Sequence, residues 1–420
     1  MIDWKDYRQN PEPYLAGLKK RGRKFSKILT AITSLRQHHA SSTQRELEAK
    51  QAEINVANKI IPTLGADDKK KKIVEMKNIS DRVAELKSLL SAEQGTAAIV
   101  VPNMPRDDVP AGEDESHNLV LREVGKKKKI TDPKDYLALA EPLGLIDVQR
   151  ASKVSGSRFG YILGPLAQLE FALVQYAQKI LLPAGFTMVV PPVLIKEENM
   201  AAMGYLTDGG EDETYHLAKD KLYLVGTSEQ SVGPMHRDEV FTADQLPKRY
   251  LSFSTCFRRE AGSYGKDTKG ILRVHQFDKL EMFSFTLPEK SDLEHEFLLT
   301  MEERLWQGLD IPYRVVKLCA GDLGWPSART YDLEAWMPGQ NTYREVCSTS
   351  TTTDYQSREL NIKVERDGKK ELVHMLNGTA FAIGRTLIAI IENYQQPDGS
   401  IAVPKVLRPY MAGLKKIGRP

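Results

Sequence analysis

Along the first hundred residues apolar side chains recur at intervals of three and four: Phe25, Ile28, Ile32 and Leu35, then Met76, Ile79, Val83, Leu86 and Leu90. That spacing lays each set along one narrow seam of an α-helix. Residues 26–61 contain neither glycine nor proline, Pro62–Lys69 reads as a turn, and a second helix is expected over 69–92. Two such helices joined by a short turn predict an antiparallel coiled-coil hairpin. The stretch Gln94–Val124, rich in Pro, Asp and Glu, predicts a linker, and the run Lys126–Lys129 reads as a solvated charge cluster that could also meet nucleic acid. Beyond residue 130 short apolar strands come in groups with a few helices between them, which predicts an α+β domain around an antiparallel sheet.

The most informative strands lie between Cys256 and Phe285, CFRREAGSYGKDTKGILRVHQFDKLEMFSF, two extended segments around a Gly-rich basic loop. Alternate residues of a strand share a face. Arg258 and Glu260 therefore point one way and Arg259 the other. On the return strand Arg273, Phe277 and Glu281 share one side, and Val274, Leu280 and Met282 the other, as core. If the strands pair, one face carries guanidinium groups, carboxylates and an aromatic ring. Arginine forks match phosphate oxygens, and a ring can stack on a base. A surface hairpin laced with ion pairs would use the same residues.

Downstream, NGTAFAIGRTLIAIIENYQQPDGSIAVPKVLRPYM runs from Asn377 to Met411, with Gly378 and Gly384 flanking a strand of small residues and an apolar helix after it. Arg385 falls at the start of that helix, where the local dipole favours anions. A cation placed there calls for a partner, and a phosphate is one candidate.

Together these segments resemble motifs 2 and 3 of the class II aminoacyl-tRNA synthetases. TSE at Thr227–Glu229, FRREAGSYG, HQFDKLEMF and TYREVCS at Thr342–Ser348 resemble the seryl-tRNA synthetases in particular, over nearly the whole chain. The helix expected at Pro165–Leu182, leading into GFTMVVPPV, resembles motif 1, with Pro192 fitting its proline better than Pro191. The resemblance implies a class II antiparallel sheet flanked by helices, with an N-terminal two-helix arm. It also implies a tRNA-binding domain over 1–110, a catalytic domain over 111–420, and a homodimer.

It further implies activation of serine by ATP and transfer to tRNA(Ser), leaving tRNA(Sec) open as a second acceptor, with the coiled-coil arm gripping the tRNA. Arg258, Glu281 and Arg385 would be catalytic. Thr227, Ser228, Glu229, Arg258, Glu281, Asn377 and Thr379 would bind serine. Arg258, Arg259, Glu260, Arg273, Val274, Phe277, Glu345, Val346, Cys347, Ser348 and Arg385 would surround ATP, Val346 and Cys347 through their backbone. Glu345 and Ser348 would hold Mg²⁺, and no zinc is expected. Cys347 stands where many relatives are expected to carry serine. Two rival readings are a carrier-protein ligase, which would lack the arm and use zinc, and an inactive paralogue, which would have lost Arg258, Glu281 or Arg385.

Composition narrows the setting. The 420 residues are 41% hydrophobic and carry a net charge of +3, enough for two domains and a sizeable core. Residues 1–93 hold 19 Lys and Arg against 12 Asp and Glu, so the remainder is net acidic. A basic appendage on an acidic body suits a polyanionic partner. No run of 18 apolar residues occurs, which predicts no membrane span. Cys256, Cys319 and Cys347 are widely spaced without a CxxC, which predicts a reducing, cytoplasmic setting.

Overall fold

The computed structural model describes residues 2–39, 42–94, 100–207, 209–261 and 269–419. Two compact units are present, one spanning Asp3–Val101 and the other running from Pro102 onward together with Ile2.

In the first unit two short helices, Trp4–Gln9 and Glu12–Lys20, precede α1 (Ser26–His39), α2 (Ser42–Ile60) and α3 (Ala66–Gln94). The last begins earlier than expected. Asp67 and Asp68 in its first turn favour the helix N-terminus through the dipole. Phe25, Ile32, Met76, Val83 and Leu86 are buried as the three-and-four spacing requires, and Arg82 joins α3 to Glu46 of α2 at 2.8 Å. The side chains of Leu35, Leu90 and the pair His38–His39 lie outside the described residues.

The second unit is built on an eight-stranded sheet. Its strands are β1 (Leu119–Val124), β2 (Phe186–Val189), β3 (Lys248–Phe257), β4 (Gln276–Thr286), β5 (Tyr313–Lys317), β6 (Arg329–Met337), β7 (Thr342–Thr353) and β8 (His374–Ala382). The spatial order is β1-β5-β6-β7-β8-β4-β3-β2, antiparallel throughout except where β2 runs parallel to β3. The expected α+β architecture is thus the one the chain adopts.

One face of this sheet is covered by α4 (Pro165–Leu181), α5 (Ser291–Gly308) and α6 (Ile383–Asn393). Leu169, Leu173, Leu305, Trp306, Leu387 and Ile391 from these helices pack in one cluster against Leu280, Met282, Leu333 and Leu376 of the strands. On the opposite face Lys279, Glu281, Asp332 and Asn377 alternate with these positions and line a cavity, while Phe283, Phe285 and Met375 farther along pack in a second cluster with Met203, Phe241 and Val364. Gly378 permits the close packing of α5, β7 and β8. A β-carbon there would come within 3.0 Å of Thr349 Oγ1 and 3.1 Å of Glu302 Oε1.

The linker expected over Gln94–Val124 is overturned from Pro102 on, residues 95–99 lying outside the described ones. Asn103 Nδ2 donates to the carbonyls of Pro326 (2.9 Å) and Thr352 (2.7 Å), Val109 packs with Val316 and Leu318, and β1 is an edge strand on β5. Its prolines and acids are partly built in, with Pro102 buried and Asp108 paired to Lys317 at 2.7 Å, and isolated buried residues leave no periodicity. The Lys126–Lys129 run is exposed yet not merely solvated. Lys127 Nζ stands 3.8 Å from the centre of the Trp336 ring, and Lys128 Nζ 4.2 Å from that of Tyr394. Among the described residues no helix is long and apolar enough to cross a membrane.

Candidate active site

The part of the opposite face left open beside that second cluster forms the floor of the site. On β4, Phe277, Lys279 and Glu281 follow one another at two-residue steps and line two adjoining spaces, with Lys279 at both. A register shift between Leu280 and Glu281 sets Glu281 opposite Thr379 of β8. The expected parity therefore holds for Phe277 and Glu281. It does not extend to Arg258, Glu260 and Arg273, because β3 ends at Phe257 and β4 begins at Gln276. Glu260 instead adopts a left-handed backbone (φ 53°), which turns the chain and brings its carboxylate to 3.4 Å from Arg273 Nη1. The rest of the basic loop, 262–268, lies outside the described residues. Arg258 is anchored by a bond from its Nε to Gly226 O at 3.1 Å, and its guanidinium stands 5.3 Å from the centre of the Phe277 ring.

Two adjoining cavities result. The larger, about 760 Å³, is lined by Tyr205, Glu229, Glu281, Asn377, Asp332 and Ser348, among others. The smaller, a slot of about 70 Å³, is walled by Glu260, Arg273, Val274, Phe277, Val346 and Arg385. Arg258, Lys279, Glu345 and Thr379 belong to both.

Charge is concentrated where the cavities meet. Glu281, only 1% exposed, accepts from Lys279 Nζ at 2.7 Å and from Thr379 Oγ1 at 3.1 Å. Burial nonetheless pushes its carboxyl up, and the adjoining Glu229 carboxyl, 5% exposed, is pushed up to about 7 by burial and then by the charge of Glu281. Lys279 is held above its ordinary value. Burial alone would lower it, but Glu281 and Glu229 outweigh that effect. The same ammonium donates to Thr227 Oγ1 at 3.1 Å. Arg385, third residue of α6, reaches across to Glu345, with Nη1 3.1 Å from its carboxylate and 3.0 Å from its backbone oxygen. The pocket surroundings oppose ionisation of Glu345, but Arg385 reverses this and holds its carboxyl below the usual range.

Most of the residues singled out in the sequence therefore converge. Three do not turn toward the cavities. Ser228 is fully buried, its Oγ 2.6 Å from Ser252 Oγ. Arg259 points its guanidinium at the Tyr215 ring, 5.4 Å away. Cys347 Sγ accepts from Trp306 Nε1 at 3.1 Å inside the core, leaving only its backbone at the slot. Of the two candidate prolines after α4, Pro191 is buried and Pro192 exposed. Sequence reasoning passed over Lys279, Tyr205 and Asp332. The first had a signal, since it shares the parity of Phe277 and Glu281; the other two had none.

Comparisons with known proteins give this geometry its context. Residues 1–105 match the family model for the seryl-tRNA synthetase N-terminal domain, and residues 213–394 that for the class II tRNA synthetase core domain (G, H, P, S and T). A serine–tRNA ligase of Acidothermus cellulolyticus is 43% identical, and one of Fervidobacterium nodosum 41%, each alignment covering 98% of both chains. The crystal structure of seryl-tRNA synthetase from Pyrococcus horikoshii complexed with ATP superposes with a TM-score of 0.88 at 37% identity over the full length of both chains. With relatives above 40% identity over 98% of both chains and family models matching both its N-terminal and its core region, the chain belongs to the seryl-tRNA synthetases, the serine–tRNA ligase family.

Proposed function

We propose that this chain activates L-serine with ATP, releasing pyrophosphate, and then transfers the seryl group from seryl-adenylate to the terminal adenosine of tRNA(Ser). The observation that carries this reading is the sharing of Arg258, Lys279, Glu345 and Thr379 between an acid-lined cavity and the slot walled by Phe277 and Arg385. An amino acid suits the first and a nucleotide the second, and the bond between them must form where they meet. The ATP in the complex of the Pyrococcus horikoshii relative favours a nucleotide as one of the two ligands.

In-line attack by the serine carboxylate on the α-phosphorus builds negative charge on non-bridging oxygens, and cations already in place lower that barrier. Arg258 is the group for the α-phosphate and the serine carboxylate. Arg273 and Arg385 would take the outer phosphates, Phe277 would stack on adenine, and Glu260 would accept from its amine. Arg385 would exchange Glu345 for phosphate. Glu229, Glu281 and Thr227 would receive the serine ammonium, with Asn377 and Thr379 completing a small polar pocket. Alanine would leave buried polar groups there unpaired and so be rejected. No general base is needed, because the attacking carboxylate is already ionised.

The residues present fit Mg²⁺. Glu345 and Ser348 offer hard oxygens to the larger cavity, and Asp332 behind them has a buried Oδ1 without a partner among the described residues. Among those residues no group of three or more His, Cys, Asp or Glu could hold a metal alone, so the ion would share its ligands with phosphates. When bound it would neutralise polyphosphate charge.

The hairpin of α2 and α3 would grip tRNA. Val56, Ile60, Ile73 and Val74 are exposed around its turn beside Lys69–Lys72, the mixture of apolar and basic side chains that backbone contact uses. A homodimer through α4 and the strand after it is favoured by exposed Phe171, Leu182 and Val190. Free, buried Cys256, Cys319 and Cys347 agree with a cytoplasmic location.

The decisive test is ATP–pyrophosphate exchange with each of the twenty amino acids. Serine should drive it, and exchange driven by a different amino acid, or none with serine, would overturn the assignment. Charging of tRNA(Ser) and tRNA(Sec) would then define the acceptors.

A further inference from the structure

Tyr205 stands between two spaces. It lines the large site cavity and also an outer cavity of about 610 Å³ bounded by Gly204, Gly209, Asp212, Glu213 and Trp325. Its backbone is held in a tight fold. The Tyr205 N–H donates to Met200 O at 3.2 Å, Gly204 before it takes a φ of 86°, and a β-carbon on Gly210 would come within 2.0 Å of the Tyr205 carbonyl oxygen. The ring packs against two apolar clusters, one including Met203 and Phe241 and the other Ile195 and Tyr223. A side chain fixed at both backbone and ring has little freedom in where its hydroxyl points. That hydroxyl donates to Glu229 Oε1.

Glu229 opens a one-turn helix, Glu229–Val232, and its second oxygen, Oε2, is buried without a hydrogen-bond partner among the described residues. The charged groups facing this carboxylate are Glu281, which disfavours its ionised form, and Lys279 and Arg258, which favour it. A carboxylate pinned at one oxygen by a neutral donor presents the other in a fixed direction. A buried acceptor left open beside a substrate cavity is costly until a donor arrives.

We infer that Tyr205 is a positioning residue for serine activation: its phenol fixes Glu229 so that the free oxygen meets the substrate ammonium, and its ring closes that carboxylate off from the outer cavity. This rests on the reading of the site as a serine pocket and adds a group that the motifs do not contain. Because the phenol donates to the ionised carboxylate, it also favours that form. Without it Glu229 protonates at higher pH, and a neutral carboxyl no longer attracts an ammonium.

The test is serine-dependent ATP–pyrophosphate exchange by the full chain, its Tyr205→Phe and Glu229→Gln variants, and the double variant, over pH 5.5–9 (a range of about two units around the Glu229 value). Tyr205→Phe should raise the KM for serine about tenfold, the loss expected for a hydrogen bond to a charged group. The KM for ATP and the thermal midpoint should stay near those of the parent. The acidic limb of kcat/KM for serine should move to higher pH. In the Glu229→Gln background the same change should have little effect, since the phenol then has no carboxylate to orient. An unchanged KM and limb in Tyr205→Phe, or an equal penalty in both backgrounds, would overturn the inference while leaving the serine assignment intact. Failure of the parent chain to exchange with serine would instead remove the assignment itself.

Discussion

Lys279 and Glu281, two residues apart on β4, turn their side chains to the same face and meet at 2.7 Å beneath the site, both almost completely shielded from water. Two buried carboxylates, Glu281 and Glu229, depend on this ammonium, and Arg258 also acts on both. Replacing Lys279 by Met should cost about 3–5 kcal/mol, the usual penalty for leaving a buried charge unpaired. Urea denaturation of the variant would measure it. The deficit should shrink as pH falls from 8 to 5, because protonated carboxyls no longer need the partner, and a deficit independent of pH would contradict this account.

Arg258 serves both cavities, so its geometry should matter as well as its charge. In Arg258→Lys one cation remains but the planar fork is lost, and lysine cannot replace it at a bidentate site. Serine-dependent exchange should fall by about a hundredfold or more, in the range seen when a transition-state donor is removed, with little change in stability. Near-parental exchange would show that Arg258 acts only as a point charge.

A further buried acid, Glu170, lines a cavity that shares Val274, Phe277 and Gly384 with the nucleotide slot. Burial, followed by its hydrogen bond and charge interaction with Asp278, pushes the Glu170 carboxyl up to about 8. With a folded value above the unfolded one, the favourable contribution is complete below about pH 4.5 and is lost as pH rises through 8. Glu170→Gln should therefore gain stability relative to the parent chain between pH 5 and 9, by on the order of a few kcal/mol. Chemical denaturation at stepped pH would reveal it, and parallel curves for the two proteins would exclude it.

Division of labour between the two units can be tested by deletion. Removing Phe25–Ala92 should leave serine-dependent pyrophosphate exchange largely intact and abolish charging of tRNA(Ser). Equal loss of both activities would show that the hairpin is needed by the catalytic unit itself.

Legibility differed from one part of the chain to another for physical reasons. Helix-period spacing marked the hairpin because Met76, Val83 and Leu86 are buried along one seam and the other faces are exposed. Two-residue parity placed Phe277 and Glu281 on one face, and the same parity offers Lys279. Arg259 and Ser228 lie in the right motifs but turn toward Tyr215 and Ser252. Chain direction at a strand end depends on a turn such as the left-handed Glu260, which no alternation rule foresees.

From the letters alone came the arm, the antiparallel sheet, and the set of arginines, carboxylates and the aromatic ring that define the site's chemistry, because periodicity and motif spacing are local properties of the chain. The tertiary structure alone chose the partners: Lys279 with Glu281, Tyr205 with Glu229, Arg385 with Glu345, and Thr379 opposite Glu281 through a shift in register. Except for the first, these pairs join residues 24 to 98 positions apart. Their meeting is set by strand register and helix placement, which in turn depend on how the whole core packs.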